Sequence, residues 1–339
     1  MSLYIIKSGL LTTIQDQGRF GYQQQGVIVS GAMDSFALRA ANMLVGNDQG
    51  DAALEITLRG PSIRFDAEAL IAICGGNLSP SIGGQKVPLW RPVLIRAGEV
   101  LEFGPCIWGA RAYLAVAGGI DVPLVLQSRS TYLRAGLGGL EGRALRTGDV
   151  LRCGAVSDCA AKYTRNGLAA LESKPFAAAP WFIGFPSRPA YAQQPVIRFI
   201  QGRDFRHFTE ESKAAFVSRP FHVTPQSDRM GYRLEGPAIR LMQPFEPISE
   251  AVSFGTVQVP REGNPIILMA DRQTVGGYPK IAQVASVDLP VLAQVKPGES
   301  IRMAEISLEQ AEVLYMDTEQ SFALTEKAIG LYLTKERGV

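Results

Sequence analysis

The sequence predicts a mainly β protein of two related halves, each a small β-barrel, with a few peripheral helices. Three observations carry this. Short apolar runs recur at intervals of about 8–12 residues, separated by Gly, Pro and Asn turns, as expected of barrels and sandwiches. Three local patterns recur in the same order in the two halves. At 339 residues the chain is also long for one core and suits two domains.

The N-terminal region reads as strand, Gly-rich loop and helix. Ser30-Gly-Ala-Met-Asp34 leads into SFALRAANMLVGN, where Met33, Phe36 or Ala37, Ala40 and Leu44 share a helical face. Gly46-Asn47 supplies the stop. Strand candidates follow: ALEITL, SIRF, ALIAIC, VLIRAG, EVLEFG and RAYLAVAGG. From Tyr163 to Pro195 the chain is rich in Ala and Pro and lacks strand alternation, which predicts the inter-domain connection. A first domain over 1–190 and a second over 191–339 follow. The second holds a new strand series from Val196 to Met303 and a tail, from Ser307, that reads as one or two amphipathic helices.

The internal matches are R-x-G-Y-x-x-x-G at Arg19–Gly26 and Arg229–Gly236, ALIAICGG against PIILMADR, and IRAGEVLEF against VKPGESIRM. The offset is 210 residues at the first and 200 at the last, so the second copy is the tighter.

Composition narrows the function. Lys and Arg (34) nearly balance Asp and Glu (32) and are scattered, so nothing favours nucleic acid or an anionic membrane. No apolar run reaches the ~18–20 residues of a membrane span, and the first residues lack the features of a signal peptide. Cys74, Cys106, Cys153 and Cys159 show no CxxC spacing and read as cytosolic thiols; two histidines offer no metal set. A cytoplasmic protein without a metal is expected. No P-loop, GxSxG elbow, HExxH or Rossmann fingerprint is present. Acid–base work would fall to Asp, Glu, Lys or Tyr.

Three polar clusters remain. In ADRQTVGGYPK, an apolar strand delivers Asp271, Arg272, Gln273 and Thr274 to Gly276-Gly277, with Tyr278 and Lys280 beyond. This is either a polar hairpin around a Gly-Gly turn or a cradle whose backbone N–H groups meet an oxyanion. In TTIQDQGRFGYQQQGVIVSGAMD, Thr12, Thr13, Gln15, Asp16, Arg19 and Tyr22 gather near glycines, and Ser30-Gly31 sits before the helix, where an anion would find N–H groups. In LQSRSTYLRAG, Ser128, Arg129, Ser130, Thr131 and Arg134 form a hydroxyl and guanidinium set suited to carboxylate or phosphate.

With these motifs in view, the chain resembles the KipA family, the C subunits of the prokaryotic 5-oxoprolinase. That family is related to allophanate hydrolase subunit 2 and to the biotin-dependent carboxyltransferase domain of urea carboxylase. The resemblance runs from about Thr12 to Glu299, through TTIQDQGRFGYQQQGVIVSGAMD, LRAANMLVGN, ALEITLRGPSI, YLAVAGGIDVP, SRSTYLRAGLGG, SDRMGYRLEG, FGTVQVPREGNPIILMADRQTVGGYPKIAQV and QVKPGE. ADRQTVGGYPK is its most specific block. The resemblance implies tandem cyclophilin-like β-barrels and, as partners, a KipI-like 5-oxoprolinase B subunit and a third, A subunit. Together they would open the lactam of 5-oxo-L-proline to glutamate at the expense of ATP. Two other readings follow from the same resemblance. One is a role in biotin-dependent carboxyl transfer to urea or a related amide; the other is a non-catalytic KipI-binding regulator of a sporulation kinase.

Lactam, urea and the ureido ring of biotin each place an N–H beside a C=O, so a pocket needs an acceptor for one and donors for the other. Asp271 or Gln273 would accept. Lys280, Arg272 or the diglycine N–H groups would stabilise charge on oxygen. Thr274 and Tyr278 would help bind, and Arg129 and Ser130 would suit the phosphates of ATP shared with partner subunits. The first-half counterpart, AICGGN, keeps the diglycine but not the Asp, Arg or Lys, so the second barrel is expected to carry the chemistry.

Overall fold

The computed structural model describes residues 1–171, 174–245 and 247–334. It divides into two compact units. Unit 1 comprises Met1–Gly18, Asp34–Arg188 and the chain from Ser321; unit 2 comprises Arg19–Met33 and Pro189–Gln320.

In unit 1 the strands are β1 (Ser2–Lys7), β2 (Leu11–Gln15), β3 (Ala53–Thr57), β4 (Ser62–Phe65), β5 (Ala69–Asn77), β6 (Pro80–Ile82), β7 (Gln85–Lys86), β8 (Val93–Ile95), β9 (Val100–Phe103), β10 (Trp108–Val116), β11 (Val150–Arg152) and β12 (Phe176–Ala178). They form two six-stranded sheets, ordered β11-β1-β4-β9-β6-β7 and β12-β8-β5-β10-β3-β2. Alternate residues of both sheets point into one core: Leu3, Ile5, Ile63, Phe65 and Leu101 from one, Ile71, Ile73, Leu114 and Val116 from the other. The other face of β5 and β10 is covered by α1 (Ser35–Leu44). Asp34 caps this helix by accepting from the Ala37 N–H at 2.8 Å. Its own N–H donates to the Tyr113 hydroxyl (2.8 Å), which donates to Glu55 (2.7 Å). Burial, followed by the charges of Glu55 and Asp34, pushes the Tyr113 phenol well above its ordinary range.

Unit 2 is a closed barrel of β13 (Val196–Gln201), β14 (Phe221–Val223), β15 (Gly231–Glu235), β17 (Thr256–Gln258), β18 (Ile266–Leu268), β20 (Lys280–Val284) and β21 (Ser300–Glu305), in the order β13-β20-β17-β18-β15-β14-β21. The β13–β21 pair is parallel and closes the ring. A separate two-stranded ribbon pairs β16 (Glu250–Ala251) with β19 (Val275–Gly276). The helices α2 (Asp158–Gly167), α3 (Glu210–Ser218) and α4 (Leu289–Ala293) are short, and α5 (Leu308–Thr334) is one continuous helix. Among the described residues no helix is long and apolar enough to cross a membrane.

The mainly β class with few helices is therefore as expected; each compact unit is drawn from separate stretches of the chain. The stretch Arg19–Met33 groups with unit 2, because Met33 is fully buried in the second core and Arg19 pairs its N–H with Val29 within the same segment. The predicted connection is also more than a linker: its β12 pairs with β8 and completes a sheet of unit 1.

The internal matches fare differently. Both R-x-G-Y-x-x-x-G copies lie in unit 2, one a loop with a short 3-10 turn at Gln23–Gln25 and the other strand β15, so they are not equivalent elements. The third match is geometric. Glu99 N–H donates to Arg96 O and Glu299 N–H to Lys296 O. Gly98 donates to Phe65 O at 2.8 Å, and Gly298 to Val223 O at 2.7 Å. Each turn carries its own ion pair, Arg96–Glu99 and Lys296–Glu299, and each opens a strand antiparallel to β4 or β14.

Gly98 and Gly298 have φ of 84° and 90°, and a Cβ at either would meet nothing within 4 Å. Alanine at each site therefore suffers only left-handed strain, about 1–2 kcal/mol. Urea unfolding of Gly98→Ala and Gly298→Ala is expected to give losses of that size in both units, equal within about 0.5 kcal/mol.

Candidate active site in the second unit

Strand β18 is followed by the buried run Met269-Ala270-Asp271, and Asp271 is a tie between segments. The Arg229 guanidinium grips both carboxylate oxygens, Nε to Oδ2 and Nη2 to Oδ1, each at 2.9 Å. Ser30 Oγ donates to Oδ1 at 2.7 Å, and Arg229 Nη2 also donates to Gly31 O at 2.6 Å. The backbone repeats the link, with Asp271 N–H donating to Arg229 O at 2.7 Å. Asp271 and Arg229 are 5% and 6% exposed. Asp271, expected from the sequence to be catalytic, thus has both carboxylate oxygens engaged. A carboxylate gripped by a two-point guanidinium and a hydroxyl ties the Ser30–Gly31 loop to the chain after β18. That loop is not an anion site at a helix start: α1 begins at Ser35 and is capped by its own Asp34.

The chemistry-bearing groups gather one strand away. Lys280 opens β20 and faces Gln258 of β17 across the ladder. Val257 and Val259 fill the barrel core, so alternation turns Gln258 to the outer face. The ribbon buries it there: Gln258 is only 1% exposed, and its Nε2 lies 2.4 Å from where a Cβ on Gly276 would be. Gly276 in turn pairs with Glu250. Glu250 bridges two cations, Arg203 at Oε1 and Lys280 at Oε2, the latter 3.7 Å from Nζ and beyond hydrogen-bond reach. The backbone of Lys280 is fixed by Asp204, whose carboxylate accepts its N–H at 2.9 Å and whose own N–H donates to Lys280 O at 3.1 Å.

Two buried donors, Lys280 Nζ and Gln258 Nε2, have no hydrogen-bond partner among the described residues. A buried donor left unmade costs about 1–3 kcal/mol, which an acceptor oxygen brought by a ligand would recover. With Glu250 beside them, the group offers donors to a carbonyl and an acceptor to an N–H. Among the described residues no cluster of three His, Cys, Asp or Glu side chains is placed to hold a metal ion.

The remaining expected residues separate. Arg272 places Nη1 3.5 Å from both Met269 O and Ala270 O, and burial pulls its guanidinium down to about 10. Gln273 and Tyr278 are exposed, and the Thr274 carbonyl accepts from Val252 N–H at 3.1 Å. Gly276 and Gly277 are not a turn: neither has a positive φ, Gly276 lies in β19, and a Cβ on Gly277 would sit 3.0 Å from Ser249 Oγ. The glycines serve close approach. Arg129 and Ser130 belong to unit 1. Ser130 is fully buried and its hydroxyl donates to Asp16, while the Arg129 N–H binds the other Asp16 oxygen and Arg129 Nε donates to Val122 O at 3.0 Å. The Ser130 hydroxyl and the Arg129 backbone N–H are thus both engaged by Asp16.

Sequence reading missed Gln258, Glu250, Arg203 and Arg229. Gln258 had a misleading signal, since T-V-Q-V alternation places it towards solvent; only the ribbon buries it.

Two outcomes are expected. Removing either partner of the buried pair, by Asp271→Ala or Arg229→Ala, is expected to lower stability in urea titrations by about 3–5 kcal/mol, whereas the double replacement Arg229→Met with Asp271→Leu loses less than the sum. Gly276→Ala drives its methyl into the Gln258 amide and is expected to destabilise by about 1–3 kcal/mol; adding Gln258→Ala relieves most of that loss in a double-mutant cycle.

Comparison with known proteins places this arrangement. Residues 25–305 match the family described as carboxyltransferase domain, subdomain A and B. The chain is 39% identical over 320 residues to the 5-oxoprolinase C subunit of Escherichia coli (strain K12), covering 94% of this chain and 96% of that one. It is 35% identical to urea amidolyase of Saccharomyces cerevisiae, covering 92% of this chain and 17% of that one. The solved structure of K. lactis urea amidolyase superposes with a TM-score of 0.84 at 30% identity, over 94% of this chain and 20% of that one. A seven-stranded barrel with a ribbon laid on its outer face, a sequence match over most of the chain and a close structural neighbour agree, and the chain belongs to the carboxyltransferase domain family, subdomains A and B.

Proposed function

We propose that this chain is a subunit of an ATP-dependent 5-oxoprolinase that opens the lactam of 5-oxo-L-proline to L-glutamate. The observation that carries the reading is the pair of buried, unmade donors at Lys280 and Gln258 beside the Glu250 carboxylate. The identity to a 5-oxoprolinase C subunit over nearly the whole of both chains supports it.

A lactam fits these groups through both atoms of its amide. Its carbonyl oxygen accepts from Lys280 Nζ and Gln258 Nε2, and its N–H donates to Glu250. The lysine charge favours electron density moving onto the oxygen as the amide is activated. Burial strengthens that effect, because little water competes for the donors. Asp271 acts at a distance, by holding the Ser30–Gly31 loop through Arg229. ATP chemistry is assigned to the partners, a KipI-like B subunit and an A subunit, since the Ser130 hydroxyl is already engaged by Asp16.

A second reading keeps the same groups and changes the substrate. The likeness to urea amidolyase favours a role in carboxyl transfer in trans, in which biotin, when bound, supplies the transferable carboxyl group. A ureido ring, like a lactam, sets an N–H beside a C=O. Lys280, Gln258 and Glu250 would orient it.

Glutamate release from 5-oxo-L-proline, measured with the three subunits and ATP, tests the main reading. Lys280→Met and Gln258→Leu are each expected to lower kcat about 100-fold or more while the complex still assembles. Undiminished release without this chain would overturn the proposal, and carboxylation of urea with a biotin carboxylase in its place would favour the second reading.

A further inference from the structure

The Lys280 ammonium is held apart from the carboxylate beside it. Its Nζ lies 3.7 Å from Glu250 Oε2, near enough for attraction and too far for a hydrogen bond. A charge-assisted N–H···O contact is ordinarily about 2.7–2.9 Å, so a movement of about 1 Å would close the gap. The backbone of Glu250 is fixed in the β16–β19 ribbon opposite Gly276, and a small rotation of its side chain suffices for that movement.

What restrains the carboxylate is its other oxygen, Oε1, which accepts from Arg203 Nη1. The two cations stand in opposite surroundings: the Arg203 side chain is 71% exposed and that of Lys280 10%. Glu250 is thus drawn towards solvent through one oxygen and towards the buried lysine through the other. Arg203 is in turn anchored to the lysine's own strand. Gly202 N–H donates to Ile281 O at 2.8 Å, and a Cβ on Gly202 would collide with Lys280 O, so glycine is what lets the two backbones approach. On the other side, Asp204 N–H donates to Lys280 O at 3.1 Å and its carboxylate accepts the Lys280 N–H at 2.9 Å. The residues flanking Arg203 therefore pin its backbone to the start of β20, and its guanidinium reaches Glu250 from a fixed base.

We infer that Arg203 is a positioning residue: by holding Glu250 Oε1 it keeps the carboxylate off Lys280, so that Nζ stays free to donate and Oε2 free to accept. This rests on the lactam reading above, in which those two atoms meet the C=O and N–H of the substrate. If Glu250 closed on Lys280, a donor and an acceptor would be lost together, and substrate would have to break a charge-assisted bond to enter. An exposed ion pair such as Arg203–Glu250 contributes little to stability, so replacing Arg203 is expected to leave the fold intact.

Two measurements test this. Crystal structures of the native chain and of Arg203→Met compare the Nζ–Oε2 separation. It is expected to stay beyond about 3.5 Å in the first and to close to about 2.7–3.0 Å in the second. Glutamate release from 5-oxo-L-proline by the three subunits with ATP is the other measurement. Arg203→Met is expected to lower kcat/KM about ten-fold, mainly through KM, while Arg203→Lys retains most of the native value. Glu250→Gln keeps an acceptor but has no charge to draw it onto Lys280. In that background Arg203→Met should change kcat/KM by less than about two-fold. An unchanged separation in Arg203→Met, or a full loss that persists in the Glu250→Gln background, would overturn the inference. The structural comparison needs no turnover, so it decides the role of Arg203 even where the native complex releases no glutamate, a result that counts against the lactam reading alone.

Discussion

The Arg229–Asp271 pair is the contact on which the second unit depends. It joins the end of β18 to the approach of β15, and through Ser30 and Gly31 it fastens a segment from far earlier in the chain. Ser30 adopts a left-handed backbone (φ 58°), an unfavourable conformation for a residue with a Cβ, and the Asp271 oxygen is what its side chain receives in that position. Burial makes the pair demanding. Each charge forfeits its hydration, so the arrangement is tolerable only while both oxygens and the guanidinium keep their partners.

Next to this saturated carboxylate lies a set of groups in the opposite condition. Lys280 Nζ and Gln258 Nε2 are buried without hydrogen-bond acceptors among the described residues, and Glu250 is shared between Arg203 and Lys280. Folding ordinarily satisfies buried donors, and the proposed substrate site rests on these two unmade ones on adjacent strands. One short stretch of sequence supplies both conditions: the Asp271 carboxylate is held at both oxygens, and Lys280 Nζ has no acceptor among the described residues.

The two units also share one local turn. The turns at Arg96–Glu99 and Lys296–Glu299 share hydrogen bonds, an ion pair and a left-handed glycine. Around them the folds differ, with two six-stranded sheets enclosing one core in unit 1 and a seven-stranded closed barrel in unit 2. A local turn is dictated by a few backbone constraints, and so survives while strand order diverges.

The β class, the helix over 35–44 with its stop and the strand series were all legible in the residues, because strand spacing, capping and turn glycines are local matters. Which side chains of ADRQTVGGYPK are saturated was not. Asp271 and Lys280 look equally reactive in the sequence; Arg229 and Ser30, distant in the chain, neutralise the first, and a ribbon strand with no side chain at Gly276 buries Gln258 beside the second. Nor was it legible that Arg19–Met33 belongs to the second unit, since Met33 fits either core by hydrophobicity alone and only packing chose. Hydrogen-bond satisfaction and burial are properties of residues brought together from afar, so they emerge only once the chain has folded.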